Sequence, residues 1–142
     1  MRQSMAAVVI CAALAGCSVP SPFQSLVPSL GAPPGNLNVD RQACNRSYPA
    51  QPGGYVAHAQ CVNDAIERDA IPFARYPDLV RLQEQLRLKY SAQVDRGQIS
   101  PHQAERKMAE VDNIVNAATQ DRDRGHLVAA GHGLDRLQTL LE

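Results

Sequence analysis

Residues 77–118 read PDLVRLQEQLRLKYSAQVDRGQISPHQAERKMAEVDNIVNAA, and their punctuation decides the fold. Leu79, Leu82, Leu86, Tyr90 and Val94 recur at helical spacing and form one apolar stripe, while Arg81, Glu84, Gln85 and Leu88 make the rest mixed or polar. Pro77 fits the first turn of a helix, where its missing N–H would lack a partner anyway. Gly97 supplies a left-handed stop. Ser100 then predicts an N-cap, with Pro101 in the first turn and Gln103 as its capping-box partner. Ala104, Met108, Val111, Val115 and Ala118 follow in steps of four and three, a heptad-like seam. Two seamed helices joined by Asp95 to Ile99 predict an antiparallel helical hairpin.

Upstream, Ala59, Val62, Ala65 and Ile66 share a face of a predicted helix from Val56 to Ala70, which Pro72 stops. Downstream the phase slips. The charged run Asp121 to Arg124 and Gly125 predict a break, after which Leu127, Ala130, Leu134, Leu137 and Leu141 define a second seam. Gly131 and Gly133 each weaken that terminal helix by about 1 kcal/mol relative to Ala, so its order must come from contacts. Leu127, Leu134, Leu137 and Leu141 are therefore a candidate interaction surface, for an envelope protein or a second copy, unless the helix docks on the hairpin and becomes core.

The chain has no Trp, two Phe and four Tyr, so a core must come from Leu, Val, Ile and Ala, which suits helices. The expectation is an all-α domain of three or four helices over residues 53–142. Within it, the hairpin covers about 77–122 and the terminal helix about 127–141. A Pro-rich disordered tether over 17–52 precedes it. Between Val19 and Pro52 lie seven of the ten prolines, interleaved with Ser and Gly, which reads as extended linker.

The first 16 residues have a different character. Arg2 supplies a positive start, and Met5 to Leu14 is an apolar run too short to span a bilayer and suited to a signal-peptide core. Leu14-Ala15-Gly16-Cys17 follows. This resembles the lipobox of bacterial lipoproteins, and the chain is similar to small proteobacterial lipoproteins. The resemblance implies removal of residues 1–16, a thioether-linked diacylglyceryl group on Cys17 and palmitate or a like chain on the new amino terminus. It implies a partner, the membrane, reached through Cys17, and a domain facing the periplasm. Ser18, not being Asp, implies outer-membrane sorting. The stretch Leu79 to Val111 in turn resembles the short helical module called SHOCT at Leu79, Leu82, Leu86, Gly97, Ile99, Ser100, Lys107 and Val111. Gln103 and Ala104 depart from that pattern, which implies assembly or protein contact and no reaction.

With Cys11 lost in the signal and Cys17 lipidated, Cys44 and Cys61 remain, and two thiols in an oxidising compartment pair. The bond would close a loop containing Tyr48-Pro49 and Pro52-Gly53-Gly54-Tyr55 and staple an irregular segment to the helix carrying Cys61. A loop of this size is worth roughly 3 kcal/mol by chain entropy.

Charge is balanced over the whole chain, and the loss of Arg2 leaves one more acidic than basic side chain, so no basic field for nucleic acid exists. No cofactor motif and no catalytic constellation stand out. His126 and His132, six residues apart, would point about 240° apart on one helix and could not chelate together without a bend. The sequence thus favours a non-enzymatic protein-interaction or envelope-assembly module. The alternatives are a cell-wall-active enzyme or enzyme accessory, which would need a His and a carboxylate in one cleft, and a small-ligand or metal binder using His126 and His132.

Overall fold

A computed structural model describes residues 37–142. The expected signal peptide, Cys17 and most of the expected tether lie outside the described residues. The helices are α1 (Leu37–Ser47), α2 (Tyr55–Asp69), α3 (Pro77–Asp95), α4 (Pro101–Asp123) and α5 (Leu127–Leu141), with a 3-10 turn at Ile71–Phe73 between α2 and α3. The all-α class is as expected, and no strand occurs among the described residues.

Local chemistry sets the boundaries. Ser100 Oγ accepts from the Gln103 N–H at 3.2 Å and the Gln103 side chain accepts from the Ser100 N–H at 2.7 Å, the reciprocal capping box the sequence predicts. Gly97 and Gly125 close α3 and α4 with φ of 68° and 77°, a region in which a Cβ would be strained. Helix α2 lacks a capping side chain of its own, because Gly54 stands at its N-cap. The Asp95 carboxylate at the end of α3 does that work instead, accepting from the Tyr55 N–H at 3.2 Å and the Val56 N–H at 2.9 Å.

Two expectations need correction. Leu37–Ser47 is helical, although it falls inside the stretch read as tether, and it raises the number of α-helices among the described residues to five. The prolines of that stretch lie before residue 37 or at Pro49 and Pro52, so the eleven residues of α1 contain none. Its order comes from packing: Cys44 is buried and Leu37 rests against the same cluster. The Cys44–Cys61 disulfide is present and joins α1 to α2, helix to helix, where an irregular segment was expected.

Contacts fix an up-and-down order. The disulfide links residues 44 and 61, and Arg68 pairs with Asp40, so α1 and α2 run antiparallel. Arg81 bonds Glu67 while Asp95 caps Tyr55, so α3 reverses again. Asp78 meets Arg122 and Lys107 sits over Tyr90, which sets α4 against α3. Glu110 pairs with Arg136, so α5 reverses once more, and Lys89 donates to the Leu140 carbonyl at 2.9 Å where α5 ends beside α3.

The main core is the hairpin seam. Leu79, Leu86, Tyr90, Met108, Val111, Ile114, Val115, Ala118 and Leu137 form one cluster. Leu82 and Ala104, expected in the seam, are half-buried against it. A smaller cluster of Cys44, Val62, Ile66, Ala70 and Ile71 joins α1, α2 and the turn, with Val80 of α3 against it.

Candidate functional site

Helix α5 is where the sequence placed an interaction surface, and most of that surface is occupied. Leu137 is fully buried, and Leu134 and Leu141 pack against the main cluster. These three residues are core because α5 lies along both α3 and α4. Gly133 permits the approach: a Cβ there would meet Ala118 Cβ at 3.0 Å. Leu127 differs, being 72% exposed, and its neighbour Val128 is 77% exposed. Of the proposed interaction residues only Leu127 stays open to solvent.

A second feature was missed in the sequence. Polar side chains meet where α3 packs on α2 and α4, with Arg41 of α1 close enough for its charge to be felt. Asn63 Nδ2 donates to the Glu84 carbonyl at 3.0 Å, and its Oδ1 accepts from Arg87 Nη1. Gln83 Nε2 donates to Asp112 Oδ1 at 2.6 Å. Asn63, Gln83, Glu84 and Asp112 are all buried. Glu84 Oε1 and Arg41 Nε are buried with no hydrogen-bond partner among the described residues.

Burial dominates the electrostatics of this cluster. It pushes the Glu84 carboxyl up to about 7, with the nearby Glu67 carboxylate adding to the effect and Arg87 and Arg81 opposing it. It raises Asp112 as well, against the Gln83 hydrogen bond. It pushes Arg87 down to about 10, helped by the like charge of Arg41, and lowers Arg41. A carboxyl that titrates near neutrality has the proton affinity of a general acid or base. Glu84 is only 5% exposed, however, and its surroundings are helix-packing groups. The arrangement suits specification of how α2 sits on α3 better than chemistry on a substrate.

A third cluster closes one end of the bundle. Tyr76, just before α3, donates its hydroxyl to Asp123 Oδ1 at 2.9 Å, and Arg75 pairs with the same oxygen at 2.8 Å. Arg122 bonds both oxygens of Asp78, at 2.8 and 2.6 Å, and its guanidinium lies 5.0 Å from the Tyr76 ring centre. The Asp123 bond raises the Tyr76 phenol, and Arg122 holds Asp78 below the usual carboxylate range. These contacts tie the start of α3 to the end of α4, and α5 begins beside them.

The histidines stay apart from one another. His126 is the N-cap of α5, with Nδ1 at 3.6 Å from Asp121, and His132 is exposed. His58 Nδ1 is 2.7 Å from the Tyr48 carbonyl oxygen. Among the described residues no three His, Cys, Asp or Glu side chains converge as metal ligands. No protein-family model matches the chain, and no curated protein or solved structure matches it. The hairpin and lipobox patterns therefore stand on their own residues.

Proposed function

We propose that this chain is a periplasmic lipoprotein, lipidated on Cys17, whose helical domain is a non-enzymatic interaction or envelope-assembly module. One observation carries the reading: Leu14-Ala15-Gly16-Cys17 follows a charged start and an apolar run of signal-peptide length. Small residues before the cysteine let a signal peptidase close on the backbone, and the Cys17 thiol takes the lipid. Long acyl chains at about 0.8 kcal/mol per buried methylene hold such a chain on the membrane. The Cys44–Cys61 disulfide supports the compartment, since such bonds persist where the surroundings are oxidising. Ser18 favours the outer membrane. The module reading rests on a bundle whose polar interior serves packing and whose open apolar residues gather at the surface.

The test is Cys17→Ser. Metabolic labelling with palmitate should be lost, and the precursor should keep residues 1–16. Undiminished labelling in the variant would end the lipoprotein reading. Crosslinking in intact cells then tests the module, with a defined envelope protein captured by the wild-type chain and lost when its contact surface is changed.

A further inference from the structure

Among the described residues, five large apolar side chains are exposed: Val39, Tyr48, Phe73, Leu127 and Val128. The up-and-down order of the helices sorts them. Val39 lies in the first turn of α1, Phe73 in the turn between α2 and α3, and Leu127 and Val128 in the first turn of α5. Arg68–Asp40 places the start of α1 at the end of α2, where the turn follows. Arg122–Asp78 and Tyr76–Asp123 place the start of α3 at the end of α4, where α5 begins. Four residues from three separate segments thus come to one end of the bundle. Tyr48, just past α1, is at the other.

Leu37 is at the Val39 end, and Cys17 stands 20 residues upstream of it. The 23 residues of α4 make the bundle about 35 Å long at 1.5 Å per residue. A chain coming in from the anchor therefore enters the bundle at the Val39 end, with Tyr48 about 16 Å further on, past the 11 residues of α1. Resting on the lipoprotein reading above, we propose that the bundle end carrying Val39, Phe73, Leu127 and Val128 lies against the phospholipid bilayer that holds the chain.

The charges at this end fit such a contact. Asp40 and Asp69 share Arg68, Asp78 pairs with Arg122, and Asp123 with Arg75, so three guanidiniums offset most of the charge of these four carboxylates. Arg124, the exposed C-cap of α4, has no ion-pair partner among the described residues and is free for lipid phosphate. No helix among the described residues is long and apolar enough to cross a membrane, so the contact is interfacial. Four side chains suffice because the tether keeps the domain at high effective concentration near the surface. The contact would fix which face of the domain is turned toward the periplasm.

The experiment uses the full mature protein purified from membranes and reconstituted in phosphatidylethanolamine–phosphatidylglycerol vesicles. A phospholipid with a photoactivatable acyl chain is included, and adducts are mapped by mass spectrometry. Adducts are expected at Phe73 and at Leu127–Val128, with none at Tyr48. The double variant L127S/V128S, changed only at exposed positions, should keep its circular dichroism and lose several-fold of the adducts at Phe73. Adducts spread equally to Tyr48, or absent from the Val39 end, would overturn the proposal. So would copy-to-copy crosslinks at Leu127 without lipid adducts, which would make a second copy the occupant. The intact mass of the same sample separates the two readings. A lipidated Cys17 without adducts refutes the docking alone, and an unlipidated Cys17 refutes the anchor and the docking that depends on it.

Discussion

Between α3, α4 and α5, nine buried apolar side chains form one cluster; between α1, α2 and the following turn there are five, and one of them is a disulfide cysteine. The carboxyl-terminal half is held by many interchangeable apolar contacts, repeated along a seam. The amino-terminal half is held by a few specific ones: a covalent bond, the Asn63–Glu84–Arg87 contacts, and a helix cap supplied by Asp95 from another element. Distributed burial tolerates the loss of one member, whereas a short helix held by one bond and a few ion pairs depends on each. If the disulfide contributes as much as its loop size predicts, this half is the part that reduction would loosen, and the bond fits the oxidising compartment proposed for the chain.

The largest effect should come from the seam. Met108→Asp puts a charge among Leu86, Tyr90 and Val111 without a partner and should cost about 4 kcal/mol in urea unfolding. Glu110→Gln, on the exposed side of the same helix, should change little. Equal losses would mean that α4 does not present Met108 to the core.

Next comes the staple. Cys44→Ser with Cys61→Ser should cost about 3 kcal/mol, as expected for a loop of this size. Calorimetry should show a lower transition, with α3–α5 still helical by circular dichroism. An unchanged transition would mean that α1 is held by packing alone.

The polar cluster sharpens the contrast through pH. The folded state holds the Glu84 proton up to about 7, against an ordinary value of 4.5. Its contribution is thus fully present below the ordinary value and is lost as pH rises through 7. Glu84→Gln should remove that loss, making the variant more stable than the wild type by about 2 kcal/mol at pH 8, with the advantage vanishing near pH 4. Asp78, lowered by Arg122, acts in the opposite sense: its contribution is present above the ordinary carboxylate range and is lost in acid. Melting curves from pH 4 to 8 for the wild type and E84Q decide this, and parallel curves would place Glu84 in water.

The smallest effect tests the borrowed cap. Asp95→Ala should cost about 1 kcal/mol. Faster amide exchange at Tyr55 and Val56, with α3 unchanged, is the accompanying sign. Exchange unchanged at both amides would show that Asp95 does not cap α2.

What the sequence revealed follows the same division. The start of α3 at Pro77, the Ser100–Gln103 box and the span of α5 were legible because caps, prolines and glycines act within a few residues. The disulfide was legible by elimination among four cysteines. Helix α1 was not, because its eleven residues were averaged into a proline-rich neighbourhood. Nor was the burial of Glu84. The sequence pattern shows a single stripe on α3, yet α3 buries two faces, Leu79 and Leu86 toward the main cluster and Val80 and Glu84 toward α2. One-dimensional periodicity does not disclose a second neighbour. For the same reason Leu134 and Leu137 could be read either as core or as interface, and only the placement of α5 on α3 and α4 separates them from Leu127.

Hydrogen exchange on the folded protein, with and without a thiol reductant, tests most directly that the two halves are held differently. On reduction of Cys44–Cys61, amides of α1 and the first turns of α2 should lose protection while α3, α4 and α5 keep theirs. Loss of protection in all five helices together, or in none, would contradict the account.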